Sequence, residues 1–374
     1  MRESEKLTVA LAGCGRVAAK HAKAFRHLHK VLEPIALIDA RPAACEVLNA
    51  EQKLKVPEAH YFTSVKALYD SGLRPDILAV TSPSGSHYEL ACLGLEHGSH
   101  VLVEKPLTLD LKEARSLNRL AERKNLLIAV GHIYRFFPLV DMVRADIASG
   151  KYGRILASEV KVHWGHDQAY YDKAAWRGRW TEDGGALMNQ SVHALDLMVW
   201  LLGTKPVSVQ GRIARLRHTM EAEDYGAALL LMQDGHICRV EGTTNTPEKR
   251  KAASFYISSD KAEIYAGIKG GIPYIKAYDR EGKRCGHYKR RFLASLFGRN
   301  FFLKLRCYLN PHSGIYKDFV EAIKEGRRPR ADGQAGADAV EHVMAVYRSA
   351  LMGGVPAALP LGDFSLEEMQ GFFL

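Results

Sequence analysis

Five short apolar runs alternate with helical patterns over the first 130 residues, and this alternation most constrains the fold. The runs are LTVALAG (7–13), PIALID (34–39), PDILAVTS (75–82), HVLVEKP (100–106) and LLIAVGH (126–132). Continuous apolar runs are typical of strands in a parallel sheet that helices cover on both faces. Helical patterns separate them at 16–30, 42–54, 64–71, 86–97 and 110–124. The alternation predicts an α/β fold whose N-terminal domain, residues 7–130, is a doubly wound parallel sheet of the Rossmann type.

The pattern changes near Tyr134, and a second domain is predicted over residues 131–374. Its predicted strands alternate apolar and polar residues or join through a tight turn: 154–164, 206–217, 225–232, 235–243 and 251–259. Its predicted helices are 138–149, 189–202, 313–325 and 334–352. Alternation of this kind predicts an α/β domain with an open, largely antiparallel sheet that exposes one face.

Composition restricts the class of protein. The chain has 374 residues, enough for two domains that each bury a core. No apolar run approaches the roughly 20 residues that span a bilayer, and the N-terminus lacks the pattern of a signal peptide. The six cysteines are scattered without metal-ligand spacing, which is typical of free thiols. We therefore expect a cytoplasmic protein.

The net charge of +10 is concentrated in one segment. No Asp or Glu occurs from Gly282 to Lys317, and residues 288–309 mix cations with Phe and Leu. A basic loop and helix packed on the second domain is one interpretation. Others are peripheral contact with anionic lipid, a cover over the active site, or a clasp on a neighbouring subunit. Nucleic-acid binding is not expected, because no recognised binding module accompanies the charge.

A glycine-rich turn directly follows the first predicted strand. Its sequence, Gly13-Cys14-Gly15-Arg16-Val17-Ala18, has the GxGxxA spacing that brings a pyrophosphate close to the backbone and to a helix N-terminus. Asp39 ends the second strand, where an acid binds a ribose diol. These features predict a dinucleotide cofactor bound by the turn and Asp39. NAD is expected over NADP, although Arg41 could pair with a 2′-phosphate.

Glu104-Lys105-Pro106 ends the fourth apolar run, directly after the residues HVLV. A Lys at the carboxyl end of a parallel strand points at the crevice where such sheets bind ligands. Burial and a nearby positive charge would make Lys105 usable as a proton acceptor. A surface lysine after an edge strand is the alternative.

The segment from His163 to Asp196 is rich in His, Tyr, Trp and Arg around Gly184-Gly185. So many bulky polar side chains are typical of a pocket for a large, oxygen-rich, charged molecule. The segment therefore predicts the substrate site.

Taken together, these motifs resemble the Gfo/Idh/MocA oxidoreductases. The resemblance is carried by GCGRVA with Asp39, TSPSGSH (81–87), EKP (104–106) and Trp176-Arg177 followed by DGGALMNQSVHALD, and it extends over roughly residues 7–350. It implies a two-domain NAD(P)-dependent enzyme whose second domain supplies the substrate floor and an oligomer interface, so a dimer or tetramer is expected. The implied cofactor contacts are Gly13, Gly15, Arg16, Val17, Asp39, Arg41, Thr81, Pro83, His87, Glu104, Lys105 and Arg177.

The resemblance also implies catalytic residues. Lys105 matches the active-site lysine of the family, and His193 matches its histidine on the central helix of the second domain. Many members have an Asp four residues before that histidine, whereas this chain has Asn189. The departure removes a carboxylate from the proton relay and leaves the acid and base work to Lys105 and His193. A buried structural histidine is the alternative for His193.

Within the family, HDQAYYD followed by WRGxW looks like the nucleotide-sugar branch, whose best-known members oxidise C3 of UDP-N-acetylglucosaminuronic acid (UDP-GlcNAcA) for surface polysaccharides. The predicted substrate contacts are Lys105, His166, Tyr170, Arg177, Asn189, Gln190 and His193, with His163, Tyr171, Lys173 and Arg179 as further candidates. Trp176 and Trp180 could simply be core. No metal site is predicted, because His163, His166 and Asp167 lack a complete ligand spacing. The alternatives are a dehydrogenase for a free sugar, aminosugar or inositol, a non-catalytic NAD(P)-binding regulator, or an NAD-dependent glycosidase.

Overall fold

A computed structural model describes residues 6–270, 272–296 and 301–373 of the chain. The chain divides into two compact units. The first unit comprises Met1–Thr108, Lys112–Phe137 and Arg299–Ala337, and the second comprises Leu109–Leu111, Pro138–Gly298 and Asp338–Leu374. The prediction placed everything after residue 130 in one domain, so the grouping of 299–337 with the first unit was not foreseen.

The described residues form strands and helices that are numbered here in chain order. The strands are β1 Leu7–Ala12, β2 Leu32–Ile38, β3 Tyr61–Phe62, β4 Ile77–Val80, β5 His100–Val103, β6 Ile128–Val130, β7 Ile155–His163, β8 Pro206–Ala214, β9 Tyr225–Met232, β10 Ile237–Thr243, β11 Ala252–Ser259, β12 Ala262–Lys269, β13 Ile272–Asp279, β14 Arg284–Cys285 and β15 Ala357–Ala358. The helices are α1 Ala18–His27, α2 Pro42–Gln52, α3 Val65–Asp70, α4 His87–Glu96, α5 Leu111–Lys124, α6 Pro138–Ala148, α7 Gln168–Asp172, α8 Val192–Leu202, α9 Tyr288–Leu296, α10 Phe301–Leu309, α11 Pro311–Glu325 and α12 Gly333–Leu351.

The first unit contains a parallel sheet in the order β3-β2-β1-β4-β5-β6. The order reverses between β1 and β4, and ligands of such sheets bind at this point, outside the carboxyl ends of the strands. The predicted Rossmann domain is confirmed. The two-residue strand β3 was not predicted, because it is too short to show any periodicity.

The core of the first unit lies on both faces of this sheet. Leu7, Val9 and Leu11 of β1 pack into one buried cluster, while Ala10 and Ala12, which point the other way, pack into a second. Tyr316 and Phe319 of α11 belong to the first of these clusters. This burial explains why a distant part of the sequence completes the first unit.

The second unit contains a mixed sheet in the order β14-β13-β12-β11-β7-β10-β9-β8-β15. Neighbouring strands are antiparallel except for β7 and β10, which are parallel. One face is buried, and the other exposes apolar side chains such as Leu229 and Leu231 of β9. The predicted open, largely antiparallel sheet is confirmed. Strands β12 to β15 were missed, since β14 and β15 have two residues each and β13 begins with Ile272-Pro273.

The basic segment forms two helices, α9 and α10, while residues 297–300 of the predicted segment lie outside the described residues. In α9, Tyr288 Oη and Arg291 Nη1 lie 3.0 and 2.6 Å from Asp146 Oδ2, so part of the positive charge is paired within the second unit. In α10, Phe302 and Leu309 are exposed. Of the helices in the described part of the chain, none combines the length and apolar character needed to cross a bilayer. Peripheral contact with lipid through 288–309 stays a prediction.

Candidate cofactor and substrate sites

The glycine turn after β1 has the geometry of a phosphate cradle. Gly13 has φ = 98°, and a Cβ there would lie 2.7 Å from the backbone nitrogen of Ser82, so only glycine fits. At Gly15 a Cβ would meet no atom within 4 Å, which leaves open space beside the backbone. Helix α1 begins at Ala18, so the positive end of its dipole lies next to the turn. The turn therefore fits the pyrophosphate of a dinucleotide.

Asp39 lies at the end of β2, beside this turn. Its Oδ2 accepts the N–H of Cys14 at 2.9 Å, and its Oδ1 accepts the N–H of Arg41 at 2.9 Å. Each carboxylate oxygen can accept a second hydrogen bond, so the ribose hydroxyls that the sequence predicted for Asp39 can still bind. The Arg41 side chain is 80% exposed, with Nε 3.6 Å from Asp39 Oδ1. Arg16 is exposed and Val17 is half-buried.

The loop after β4 holds Thr81, Pro83 and His87. Thr81 Oγ1 donates to the carbonyl of Gly13 at 2.6 Å and ties this loop to the glycine turn. His87 is 1% exposed, and its Nδ1 and Nε2 face the carbonyl oxygens of Pro106 and Ser82 at 2.8 and 3.1 Å. Burial lowers the pKa of His87. His87 therefore joins two loops of the first unit, and the cofactor contact predicted for it stays a prediction.

Glu104 and Lys105 follow β5 and point to different environments. Lys105 is partly exposed at the carboxyl end of the sheet, as predicted. Glu104 is buried, and its Oε1 lies 2.9 Å from His21 Nε2 and 3.3 Å from His312 Nε2. These two histidines hold the pKa of the Glu104 carboxyl well below its ordinary value, despite its burial. Its carboxylate thus faces the interior of the first unit, and the cofactor contact predicted for Glu104 stays a prediction.

In the second unit, His166, Tyr170 and Arg177 form a stacked cluster. The His166 and Tyr170 rings are parallel with centroids 3.7 Å apart, and the Arg177 guanidinium lies 4.2 Å from the Tyr170 centroid. Helix α7 presents Tyr170, and the Asp167 side chain begins this helix by accepting the Tyr170 N–H. Arg177 Nη1 donates to the Tyr170 carbonyl at 2.5 Å, whereas its buried Nε has no hydrogen-bond partner in the described part of the chain. Three predicted substrate residues are therefore brought together.

Asn189 and Gln190 extend this cluster. Gln190 Nε2 lies 2.7 Å from Asn189 Oδ1 and 3.5 Å from His166 Nε2. Asn189 Nδ2 donates to Oδ1 of the buried Asp183, whose Oδ2 accepts the N–H of Gly178 at 3.1 Å. A carboxylate therefore touches position 189 even though this chain has Asn there. Sequence reasoning missed Asp183, although it begins the quoted DGGALMNQ motif.

The helix predicted at 189–202 begins differently from the prediction. Residues 186–191 form a π-helical turn, and α8 starts at Val192. The one-turn spacing assumed between Asn189 and His193 is therefore not that of a regular α-helix. Short π-helical turns of this kind are frequent at functional sites. His193 lies half-buried in the first turn of α8.

The buried carboxyl group of Glu223 forms a hydrogen bond with this π-helical turn. Glu223 Oε1 accepts the N–H of Leu187 at 2.8 Å and the hydroxyl of Tyr347 at 2.9 Å. Burial raises the pKa of Glu223 to about 8, so it is mostly protonated at neutral pH. A Cβ at Gly185 would lie 1.7 Å from Glu223 Oε2, so this turn requires glycine.

The remaining candidates have more ordinary surroundings. Trp180 is fully buried core, Lys173 is exposed, Arg179 pairs with Glu182 at 3.4 Å, and His163 lies 3.0 Å from Glu241. Tyr171 donates to Thr244 at 2.9 Å. Among the described residues, the one His/Glu group close enough to hold a metal ion is His21, Glu104 and His312 in the first unit, which the sequence did not single out.

The fold, the glycine turn and the comparisons together define an NAD-dependent oxidoreductase. Residues 7–132 match the model of the oxidoreductase family with an NAD-binding Rossmann fold, and residues 140–266 match the GFO/IDH/MocA C-terminal domain. The chain belongs to the GFO/IDH/MocA family. The predicted family, enzyme class and NAD cofactor are confirmed.

Solved structures of similar proteins include two WlbA dehydrogenases in complex with NADH and UDP-GlcNAcA. The one from Bordetella pertussis is 27% identical, with a TM-score of 0.83 over 96% of this chain and 99% of that chain. The one from Chromobacterium violaceum is 27% identical, with a TM-score of 0.82 over 97% and 98%. A UDP-N-acetylglucosamine 3-dehydrogenase from Acidithiobacillus ferrooxidans is 27% identical over 61% of this chain and 71% of its own length. The chain spans about half the length of several other curated relatives that it matches.

Proposed function

We propose that this protein oxidises C3 of UDP-GlcNAcA to a ketone and uses NAD as the hydride acceptor. The observation that carries the proposal is the likeness, over nearly the whole chain, to two dehydrogenases crystallised with that nucleotide sugar. The stacked cluster of His166, Tyr170 and Arg177 supports it independently. This cluster offers a cation and aromatic faces, which an anionic sugar requires.

The first unit supplies the cofactor and the base. When bound, NAD accepts the hydride that leaves the sugar carbon. Gly13, Gly15 and Asp39 hold the dinucleotide through its pyrophosphate and ribose. Lys105, at the carboxyl end of β5, accepts the proton of the sugar hydroxyl while the C–H bond breaks and the C=O bond forms. The products are a 3-keto sugar, NADH and a proton, and the catalytic role predicted for His193 stays a prediction.

The second unit recognises the sugar acid. Arg177 has a buried Nε without a partner among the described residues, and no carboxylate there forms an ion pair with it, so its guanidinium can bind the sugar carboxylate. Tyr170 offers an aromatic face and a hydroxyl, and His166 lies against that ring. The amides of Asn189 and Gln190 suit ring hydroxyls or the acetamido group. The contact of Arg177 with the cofactor also stays a prediction.

The chemistry of the product indicates where the reaction belongs. A ketone at C3 is a substrate for amino transfer, so we place the enzyme before an aminotransferase in the cytoplasmic synthesis of a surface polysaccharide. We also propose that it acts as a homo-oligomer, a dimer or tetramer. The exposed apolar residues on the open face of the second sheet support this.

The direct test is incubation of the purified protein with NAD and UDP-GlcNAcA. We expect NADH to form and mass spectrometry to show a product lighter by two hydrogens. Reduction of that product with borodeuteride should place deuterium at C3. UDP-N-acetylglucosamine lacks the carboxylate and should react at least tenfold more slowly, because Arg177 would lose its partner.

Two variants separate the roles of the residues. Lys105→Ala should lower kcat by a factor of 10² or more while NAD binding persists, because the proton acceptor is lost. Arg177→Met should mainly raise KM for UDP-GlcNAcA and leave NAD binding unchanged. Oxidation of inositol or free sugars without UDP-GlcNAcA turnover would contradict the proposal and support a dehydrogenase for a free sugar, aminosugar or inositol. NAD binding without any turnover would support a regulator, and glycosidic cleavage without net NADH would support a glycosidase.

A further inference from the structure

Four side chains of the first unit form a buried polar cluster behind Lys105. His21 comes from α1, Glu104 from the end of β5, and His312 and Tyr316 from α11. His21 Nε2 lies 2.9 Å from Glu104 Oε1, and its Nδ1 lies 2.8 Å from Tyr316 Oη. The two imidazole rings are edge to face with centroids 4.7 Å apart. These four residues are called the Glu104 cluster below.

The Glu104 cluster is connected to the backbone of Lys105. Glu104 Oε2 accepts the N–H of Lys105 at 3.3 Å, while Oε1 faces both histidines. A Cβ at Gly131 would lie 2.9 Å from the Glu104 carboxyl carbon, so the carboxylate packs against a position that requires glycine. The carboxylate is therefore held in one orientation.

The hydrogen bonds determine where the protons of the cluster lie. Asn310 Nδ2 donates to the carbonyl of Lys20 at 2.9 Å, so Asn310 Oδ1 is the atom that faces His312 Nδ1 at 3.2 Å. An amide oxygen only accepts, so His312 Nδ1 carries a proton. His312 Nε2 lies 3.3 Å from Glu104 Oε1, where a lone pair would repel the carboxylate, so this geometry favours a proton on Nε2 as well. His21 needs only one proton, because the Tyr316 hydroxyl can donate to its Nδ1.

This inventory makes His312 an imidazolium that balances the charge of Glu104. This compensation of the Glu104 charge matters for the neighbouring residue, Lys105. An unpaired carboxylate beside Lys105 would stabilise the ammonium form of the lysine and oppose its use as a base. With His312 as its counter-ion, Glu104 can anchor the backbone of Lys105 without holding the proton on its amine.

We propose that His312 and His21 are positioning residues that neutralise Glu104 and thereby keep Lys105 available as the proton acceptor. The inference rests on the proposed function of Lys105. The titratable groups around Glu104 are His21 from α1, His312 and Tyr316 from α11, His87 from α4, and Lys105 itself. Of these, His312 is the one whose two ring contacts, with Asn310 Oδ1 and with Glu104 Oε1, both favour a proton on the ring nitrogen.

The test compares pH profiles of kcat/KM for UDP-GlcNAcA in matched variants. His312→Gln keeps a hydrogen-bond donor but removes the cation, so the acid limb should move up by about one pH unit, with the rate recovering at high pH. Glu104→Gln should not move the limb upward. The double variant Glu104→Gln/His312→Gln should bring the limb back to the wild-type position. His27→Gln is the matched control, because His27 also joins α1 to α11, through Ser313 at 2.8 Å, without touching Glu104.

A second readout does not depend on the sugar. In the NAD-bound protein, the acylation of Lys105 by acetic anhydride can be followed against pH by peptide mass spectrometry. Its midpoint should move upward in His312→Gln by the same amount as the rate profile. Movement of this midpoint without any UDP-GlcNAcA turnover would refute the proposed substrate and support the cluster. Turnover with both midpoints unmoved in His312→Gln would overturn the cluster inference.

Metal analysis tests whether the side chains of the Glu104 cluster bind a metal ion instead of one another. The ligand atoms of His21, Glu104 and His312 all lie within 4.8 Å of one another, which is compatible with a divalent ion. We expect less than a tenth of an equivalent of zinc, cobalt or nickel per chain after purification without chelator. One equivalent of metal that His312→Gln removes would overturn the hydrogen-bonded arrangement, because the protons inferred above would then be replaced by the ion.

Discussion

Glu104 in the first unit and Glu223 in the second are both buried carboxyl groups, yet they are in opposite states. Two histidines hold the pKa of Glu104 well below its ordinary value, and Glu104 is ionised. Glu223 has a backbone N–H and the Tyr347 hydroxyl as partners, and burial raises its pKa to about 8. The comparison teaches that the charge of the partners, and not the depth of burial, decides the state of a buried carboxyl group.

The two states suit different roles. An ionised Glu104 can anchor the backbone of Lys105 and balance a cation, which concerns the proton chemistry of the first unit. A neutral Glu223 only has to satisfy the π-helical turn at 186–191, which carries Asn189 and Gln190. A charged group is present where the proposed reaction moves a proton, and a neutral one where the backbone needs support.

The largest expected effect is on stability when Glu104 is truncated. Glu104→Ala leaves the protonated His312 buried without its counter-ion and should lower the free energy of unfolding by about 3–5 kcal/mol. Glu223→Gln, the matched change in the second unit, should not lower it at pH 6, because a neutral amide replaces a neutral carboxyl in the folded state and, unlike Glu223, does not ionise in the unfolded state. Urea unfolding followed by circular dichroism measures both. Equal losses in the free energy of unfolding of the two variants would contradict the opposite charge states of Glu104 and Glu223.

The next effect is a pH dependence of opposite sign for the two groups. Because its folded pKa is raised, Glu223 contributes stability that is complete below about pH 4.5 and is lost as the pH rises through about 8. Relative to wild type, Glu223→Gln should therefore gain about 2 kcal/mol between pH 6 and pH 8. Glu104, with a lowered pKa, loses its contribution only as the pH falls below its ordinary range. A difference between wild type and Glu223→Gln that stays constant over pH 6–8 would contradict the raised pKa.

A smaller effect is expected where a second carboxylate enters the second unit. Asn189→Asp would place a carboxylate against Asp183 and remove the amide donor between them. We expect a loss of about 1–2 kcal/mol at pH 8 and a kcat at least tenfold lower, both partly recovered at pH 5, because one of the pair then binds a proton. Asn189→Ala, which removes the donor without adding charge, should lack this recovery. Unchanged activity of Asn189→Asp at pH 8 would show that position 189 tolerates the acid found in many relatives.

The smallest effect on stability is expected at the cofactor turn. Gly15→Ala adds a methyl group into open space and should change the free energy of unfolding by less than about 0.5 kcal/mol. It should nevertheless weaken NAD binding about tenfold or more, because the methyl group occupies the space that the pyrophosphate enters. Gly13→Ala should lower stability as well, since it combines φ = 98° with contact to Ser82. Isothermal titration with NAD and urea unfolding separate the two effects, and full NAD affinity in Gly15→Ala would contradict the assigned cradle.

The sequence predicted the local features well and the long-range ones poorly. The strand and helix alternation of residues 7–130, the glycine turn and the position of Lys105 after β5 all follow from short-range patterns, and the structure contains them. Strands β12 to β15 show weak patterns because they are short or lie towards the edges of the sheet. The cluster of His166, Tyr170 and Arg177 was predicted as a set because its members lie close together in sequence.

The sequence by itself determined the Rossmann unit, the NAD cofactor and the family, because these depend on periodicity and on motifs of a few adjacent residues. Only the tertiary structure decided which side chains lie against each buried carboxylate. It brought His21 and His312, 291 residues apart in the chain, to one oxygen of Glu104. It also placed Asp183 against Asn189. The physical reason is that hydrogen bonds and charge pairing act over a few ångströms in space, and the packing of α11 onto the first sheet sets those distances.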